Sequence, residues 1–146
     1  PFACILEQFM KKTVKSMVDE ATAAITTYSI EEARDLHGRD DVQFIDIRDI
    51  RELEREGVIP GAFHAPRGML EFWADPESPY HKPVFAQGKR LVLFCAAGWR
   101  SALATKTLQD MGLPDVAHIG GGFSGWKTAG APVADKAAKS AKAAGS

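Results

Sequence analysis

The stretch that decides the fold is residues 90–101, which read RLVLFCAAGWRS. Its first part, Arg90 to Cys95, is apolar after the arginine and has the length of one strand, which is typical of a strand buried in a parallel sheet. The segment from Ser101 to Met111 carries apolar residues at helical spacing, and Gly112 provides its end. A buried strand that leads almost directly into a helix predicts a βα unit.

The same alternation of strands and helices continues on both sides of this unit. Ser29 precedes one helix, and Glu32 follows it at the spacing of a capping box. Repeated units of this kind predict an α/β fold, an open parallel sheet with helices on both faces. The predicted strands are residues 42–47 and 116–119, with a strand edge and turn at 58–62. The predicted helices are residues 4–25, 30–37, 50–56, 67–74 and a short helix that passes through Trp126, while 75–83, with three prolines, is a loop.

Composition excludes several classes of function. The chain has 146 residues, 45% of them hydrophobic and 25% charged, which is typical of one soluble globular domain. The net charge of −1 gives no attraction for nucleic acid or for an anionic membrane, and no apolar run approaches the roughly 20 residues of a membrane-spanning helix. The first residues lack the basic segment of a signal peptide, and the two cysteines form no disulfide framework, so we expect reduced thiols and a cytoplasmic protein.

Cys95 is the candidate reactive residue because it lies between the buried strand and the following helix. A loop in this position directs several backbone N–H groups and the positive end of the helix dipole at one spot, and Gly98 allows the loop to curl. These groups, with Arg100 nearby, favour a nucleophilic thiolate and the binding of an anionic substrate. The alternative is an ordinary core cysteine at the end of a strand. The small residues beside the thiol and the cation at Arg100 favour the functional interpretation.

Four stretches of the chain form an ordered set of motifs: Asp46-Ile47-Arg48, the turn Gly57-Val58-Ile59-Pro60-Gly61-Ala62, the loop from Cys95 to Arg100, and Gly121-Gly122-Phe123-Ser124-Gly125-Trp126. Together and in this order, they resemble the motifs of the rhodanese family of sulfurtransferases. The resemblance implies the rhodanese-like fold and a sulfurtransferase in which Cys95 carries sulfur as a persulfide. It implies no metal and no organic cofactor. It also implies a small anionic sulfur donor such as thiosulfate, and an acceptor that is cyanide or a thiol, whether of a small molecule or of a protein.

The predicted site divides into catalytic residues and substrate contacts. Cys95 and Arg100 are the predicted catalytic residues. The predicted substrate contacts are Ala96, Ala97, Gly98, Trp99, Ser101 and Arg67, with Trp99 pointing outward. Ala96 stands where many thiosulfate-using members of the family have arginine or lysine, so the loop has one cation instead of two. This difference predicts weak use of thiosulfate unless Arg67 supplies the missing charge.

Two other functions are compatible with the same scaffold. Four residues separate Cys95 from Arg100, whereas phosphatases that resemble rhodaneses have one more. The shorter loop favours sulfur transfer over a phosphatase or an arsenate reductase. The other alternative is a non-enzymatic rhodanese-like module that binds a protein partner or relays sulfur to it, but the presence of Cys95 weighs against an inert module.

Several residues outside the loop are predicted to support it or to pack. Asp46 is expected to hydrogen-bond the active loop or a neighbouring turn, and Arg48 to pair with a carboxylate such as Glu52. The aromatic residues of the Trp73–His81 loop either wall the pocket or simply pack. Trp126 is expected in the core.

The predicted organisation has three parts. Residues 1–27 form an N-terminal amphipathic helix, residues 28–133 form the rhodanese-like domain, and residues 134–146 form a flexible tail rich in alanine and lysine. We expect the apolar face of the helix to cover its own domain rather than a second subunit. Both a monomer and a homodimer are compatible with this arrangement.

Overall fold

The central layer of the protein is a parallel sheet of five strands. The computed structural model describes residues 11–136, and the strand order in the sheet is β1-β5-β4-β2-β3. All neighbouring strands pair in parallel. The strands are β1 (Thr26–Tyr28), β2 (Val42–Asp46), β3 (Phe63–His64), β4 (Arg90–Phe94) and β5 (Val116–Ile119). The α/β architecture with an open parallel sheet is therefore confirmed.

The described residues contain six α-helices, four of which connect successive strands. They are α1 (Val14–Ala24), α2 (Ile30–Leu36), α3 (Ile50–Glu56), α4 (Leu70–Ala74), α5 (Trp99–Asp110) and α6 (Gly122–Thr128), and short 3-10 turns span Arg67–Met69 and Pro83–Ala86. The capping box predicted at Ser29 is present: its side chain accepts from the Glu32 amide, and the Glu32 carboxylate accepts from the Ser29 amide. Among residues 11–136, no helix has the length and apolar character that crossing a membrane requires.

Helices cover both faces of the sheet, and the side chains of β4 point alternately to the two faces. Leu91 and Leu93 lie in a core with residues of α4 and α5. Val92 and Phe94 point the other way, into a core with residues of α2 and α6. Trp126 is fully buried in this second core, as predicted. Cys95 continues the alternation, and its side chain belongs to the first core. The candidate nucleophile therefore lies immediately after the end of the buried strand.

The N-terminal helix is shorter than the sequence pattern predicts. It begins at Val14, where the Thr13 hydroxyl accepts from the Ser16 amide at 3.0 Å, and residues 11–13 are not helical. Residues 1–10 of the predicted helix lie outside the described residues. Val18 and Ala21 pack against Ala102 of α5. The apolar face of α1 thus covers its own domain.

The ends and edges of the sheet differ most from the sequence prediction. β1 was not predicted, and the edge strand expected at 58–62 is instead β3, two residues long. Val58 makes only an isolated antiparallel bridge with Ala134, through two hydrogen bonds of 2.8 Å. The predicted flexible tail therefore starts with a paired residue, and its remainder from residue 137 lies outside the described residues.

Candidate active site

The Cys95 sulfur lies at the start of α5, in a loop that curls around it. The amide of Gly98 donates to Sγ at 3.2 Å and the amide of Ser101 at 3.3 Å. The Ser101 hydroxyl oxygen is 3.5 Å from the same sulfur. These donors and the positive end of the α5 dipole stabilise negative charge on sulfur. Cys95 is only 1% exposed, so the loop encloses the sulfur.

Two glycines keep the loop in this shape. Gly98 has a φ of 111°, and a Cβ there would overlap the Gly120 carbonyl. Gly122 has a φ of 60°, and its Cβ would lie 2.6 Å from the Ala96 carbonyl oxygen. Both positions therefore need glycine for conformation and for space.

The glycine-rich segment that follows β5 makes hydrogen bonds to the backbone of the loop. The Phe123 amide donates to the Cys95 carbonyl at 2.8 Å, and the Ser124 amide donates to the Ala96 carbonyl at 3.0 Å. The first turn of α6 thus binds two consecutive peptide carbonyls at the start of the loop. The loop motif that starts at Cys95 and the glycine-rich motif that starts at Gly121 are far apart in the sequence, but this contact brings them together in the fold.

Arg100 is not a free cation. Its guanidinium makes a bidentate pair with Glu52 of α3, at 2.8 and 2.9 Å. These hydrogen bonds lower the pKa of Glu52 to about 2, and together with the nearby Cys95 sulfur they raise the pKa of Arg100. Both partners therefore stay charged at neutral pH. An anionic substrate that binds Arg100 has to compete with Glu52, a partner that the sequence analysis assigned to Arg48.

Arg48 pairs with Asp46 and not with Glu52. Its guanidinium donates to the Asp46 carboxylate at 2.8 Å and to the Gly57 carbonyl at 2.9 Å, and it lies 4.0 Å from the Phe123 ring centroid. The two side chains are almost completely buried. Asp46 was expected to bind the loop or a neighbouring turn, and it binds the turn, accepting from the Arg48 amide at 3.1 Å. This buried pair ties the end of β2 to the end of α3.

The remaining predicted contacts lie in different environments. Ala97 and Trp99 are exposed, with Trp99 at 52%, while Ala96 is half-buried. Trp99 therefore points outward as predicted. Arg67 is paired with Glu71 at 2.6 Å along its own helical segment. The substrate-binding roles of these residues stay predictions.

One polar group behind the sulfur was missed by the sequence analysis. His118, on β5, hydrogen-bonds the Ser101 hydroxyl through Nδ1 at 2.9 Å and the Thr27 hydroxyl through Nε2 at 3.0 Å. Burial lowers the pKa of His118 to about 4. A histidine in a short apolar strand gives no local signal of this role, because its partners come from α5 and from the unpredicted strand β1.

A polar cavity of about 370 Å³ adjoins the loop. Its lining includes Glu52, Ala96, Ser124 and Lys127. A larger cavity of about 560 Å³ lies at the opposite end of the sheet, beside Leu91 and Leu113, and is mostly apolar. We place the candidate site at the smaller cavity because, of these two, it alone reaches the loop that contains Cys95.

The aromatic residues before β4 mainly pack. Trp73 contacts Phe63 edge-on, with ring centroids 6.1 Å apart, and joins the core that contains β4. Phe72 and Tyr80 are exposed and contact each other. Within residues 11–136, no group of three or more histidine, cysteine, aspartate or glutamate residues is arranged to hold a metal ion.

Comparison with known proteins agrees with this geometry. The profile of the rhodanese-like domain matches residues 29–129, which is more than half of the chain. The chain belongs to the rhodanese-like family. The matched region contains all four motifs quoted above, and the buried cysteine of this rhodanese-like domain lies within the third of them.

Three proteins illustrate how this rhodanese-like chain relates to others. A protein of unknown function from Rhodopseudomonas palustris CGA009, by its description a possible tyrosine phosphatase, is 55% identical, with a TM-score of 0.82, over 84% of this chain and 95% of its own. The polysulfide-sulfur transferase homodimer of Wolinella succinogenes is 30% identical, with a TM-score of 0.66, over 88% of this chain and 92% of its own. The thiosulfate sulfurtransferase/rhodanese-like domain-containing protein 3 of Mus musculus is 29% identical over 102 residues, 66% of this chain.

The first curated relatives are longer than this chain. The match spans 65% of the mouse protein and 58% and 61% of the next two curated relatives. The match therefore covers less than two thirds of these three curated proteins, and the likeness to them concerns the rhodanese-like domain.

Proposed function

We propose that the protein is a sulfurtransferase in which Cys95 carries a sulfane sulfur between a donor and an acceptor. The Cys95 thiolate attacks the outer sulfur of the donor, forming a new S–S bond while the donor's own S–S bond breaks. With thiosulfate, the leaving group is sulfite. A thiol or cyanide then attacks the outer sulfur of the persulfide, takes it, and regenerates the Cys95 thiolate.

The observation that carries this proposal is the pair of backbone amides on the sulfur. The Gly98 and Ser101 N–H groups, at 3.2 and 3.3 Å, stabilise the thiolate. A preformed thiolate needs no general base to attack. The same donors and the α5 dipole favour the anionic persulfide that results.

The charges around the loop favour a polysulfide or persulfide donor over thiosulfate. Thiosulfate is a dianion and gains from each free cation, but Ala96 supplies none and Arg100 is paired with Glu52. A persulfide carries a single negative charge, and the charge of a polysulfide is spread over a longer chain of sulfur atoms, so we expect both to depend less on such cations. The polysulfide-sulfur transferase of Wolinella succinogenes, which covers 88% of this chain, is consistent with this choice.

A transfer assay tests the proposal directly. Sulfur transfer from polysulfide or thiosulfate to cyanide is followed as thiocyanate, and we expect turnover by the wild-type protein. Cys95→Ser abolishes it, whereas Cys4→Ser, which changes the only other cysteine, keeps it. Equal loss in both variants would support a two-cysteine mechanism instead.

A phosphatase is the second candidate, because the similar Rhodopseudomonas palustris protein is described as a possible tyrosine phosphatase. The four-residue interval between Cys95 and Arg100 argues against it, since a phosphate ester needs a wider ring of amide donors than one sulfur atom does. We expect no useful hydrolysis of an aryl phosphate. Turnover of an aryl phosphate that depends on Cys95 would favour the phosphatase.

A sulfur-relay module without independent turnover is the remaining alternative. Exposed Trp99, next to the loop, is a suitable contact for a protein acceptor. Such a module would accept one sulfur on Cys95 but fail to pass it to cyanide or small thiols. We also propose a cytoplasmic location, because two cysteines are too few for the disulfide framework typical of small secreted domains. Both a monomer and a homodimer are compatible with the proposed function.

A further inference from the structure

A chain of three polar side chains leads from the reactive sulfur away from the loop. Sγ of Cys95 is 3.5 Å from the Ser101 hydroxyl oxygen, which is 2.9 Å from Nδ1 of His118. Nε2 of the same ring is 3.0 Å from the Thr27 hydroxyl oxygen. Ser101 and His118 are buried, whereas Thr27 is exposed. This hydrogen-bonded series of side chains therefore connects an enclosed sulfur to solvent.

The register of the sheet creates this connection. Thr27 of β1 pairs directly with His118 of β5. Because the pKa of His118 is lowered to about 4 by burial, the ring is neutral around pH 7. A neutral imidazole has one donor nitrogen and one acceptor nitrogen, so its tautomer follows the hydrogen bonds of its neighbours.

We propose that His118 is a positioning residue whose tautomer is coupled, through Ser101, to the protonation state of Cys95. When Cys95 ionises, the hydrogen-bonded series Ser101–His118–Thr27 passes one proton to solvent at Thr27. The inference deepens the proposed function, since it concerns how the sulfur-carrying residue becomes a thiolate.

The two end states differ by one proton and in the direction of the hydrogen bonds. With the thiol, S–H donates to Ser101 Oγ, the Ser101 hydroxyl donates to Nδ1, and Nε2–H donates to Thr27. On ionisation each proton moves one position outward, and the Thr27 hydroxyl releases one proton to water. The S–H, Ser101 O–H, Nε2–H and Thr27 O–H bonds break. Three of these four protons form new bonds at Ser101 Oγ, Nδ1 and Thr27 Oγ1, and the fourth, from the Thr27 hydroxyl, binds to a water molecule.

The outcome is a hydroxyl that faces the thiolate. Nδ1–H now donates to Ser101 Oγ, and the Ser101 hydroxyl donates to the sulfur as a third donor beside the two backbone amides. The Gly98 carbonyl oxygen, 3.3 Å from the Ser101 hydroxyl, competes with the sulfur for this proton, and the Nδ1–H tautomer of His118 leaves the hydroxyl free to donate to the sulfur. The imidazole therefore favours the thiolate without carrying charge itself.

The other charged groups near the sulfur come from three elements. Arg100 of α5 is paired with Glu52 of α3, and the pKa of Glu52 is about 2. The buried Asp46–Arg48 pair lies at the end of β2, next to β4. The Arg100–Glu52 pair keeps its charges across the range in which a thiol titrates, so it does not imitate the coupling.

Nitrogen NMR of the wild-type protein tests the coupling without any substitution. The two ring nitrogens of His118 are followed while pH is raised through the ionisation of Cys95. We expect a change from the Nε2–H tautomer to the Nδ1–H tautomer, in step with Cys95 alkylation reactivity, and no such change in Ser101→Ala. A tautomer that stays constant while Cys95 ionises would overturn the proposal.

Alkylation by a neutral reagent tests the consequence for the sulfur. We expect Ser101→Ala and His118→Phe to raise the midpoint of the pH–rate curve by roughly one pH unit, the effect of losing a hydrogen bond to a charged group. Thr105→Val is the matched control, because this buried hydroxyl on α5 has no hydrogen-bond partner, and we expect its curve to match that of the wild type. Unchanged midpoints in both test variants would refute the coupling. Alkylation requires no sulfur donor, so it does not depend on whether sulfur transfer occurs.

Discussion

At the scale of single residues, the pairing of Arg100 shapes what the site accepts. Two nitrogens of the Arg100 guanidinium bind Glu52 in an exposed bidentate ion pair, so they are not available to an anionic substrate. The same pair places a negative charge beside the loop. Glu52 has a second task, because its carboxylate accepts from the Asp49 amide and completes the capping box of α3. A glutamine keeps the cap but removes the charge.

Glu52→Gln should therefore improve the use of thiosulfate. Exposed ion pairs are worth up to about 1 kcal/mol, so freeing Arg100 is expected to lower the KM for thiosulfate by about fivefold. Glu32→Gln is the matched control, since Glu32 has the same capping position in α2. Steady-state kinetics of both variants check this expectation, and an unchanged KM in Glu52→Gln would contradict competition between Glu52 and the donor.

The buried imidazole also predicts how stability depends on pH. The pKa of His118 is about 4 in the folded protein, below its unfolded value of 6.5. The unfolded state therefore binds more protons between these values, and stability falls as pH drops from 6.5 towards 4, by up to about 3 kcal/mol. Urea unfolding at pH 7 and pH 4.5 measures this loss. His118→Asn should lose less over the same interval, and an equal loss in both proteins would contradict the account.

At the scale of elements, the active loop depends on two contacts with the segment after β5. The loop glycine, Gly98, lies against the Gly120 carbonyl, and the amides of Phe123 and Ser124 bind the loop carbonyls. The loop is therefore held by long-range packing as well as by its own sequence.

Gly98→Ala should cost more stability than a conformational penalty alone. Gly88 also has a positive φ, 74°, but a Cβ there meets nothing within 4 Å. Gly88→Ala is expected to lose about 1–2 kcal/mol from the left-handed conformation. Gly98→Ala adds a backbone overlap and should lose on the order of 3 kcal/mol or more. Similar losses in denaturant unfolding would show that the loop is not clamped.

Elements with strong local signals could be predicted from the sequence, and elements fixed by distant pairing could not. The helix Ile50–Glu56, with its terminal Gly57, and the buried strand from Arg90 have the expected positions. β1 has only three residues and no apolar run, so its strand conformation comes from pairing with β5. The edge strand is likewise determined by its pairing with β2, which explains why it lies at Phe63–His64 and not at residues 58–62.

At the scale of the whole molecule, the parallel sheet gathers the site from separate parts of the chain. Cys95 and its amide donors were predictable because they share one βα unit. Glu52 and His118 were not, since α3 and β5 reach the loop only after the sheet forms. The sequence thus predicted the candidate nucleophile, while the folded molecule shows which side chains surround it.

The central claim, that Cys95 carries sulfur, is tested most directly by intact mass. The protein is incubated separately with polysulfide and thiosulfate, and its mass is measured before and after reduction. We predict one added sulfur atom that a thiol reductant removes, more complete with polysulfide, present in Cys4→Ser and absent in Cys95→Ser. A wild-type mass that does not change with either donor, or an added sulfur that persists in Cys95→Ser, would contradict the account.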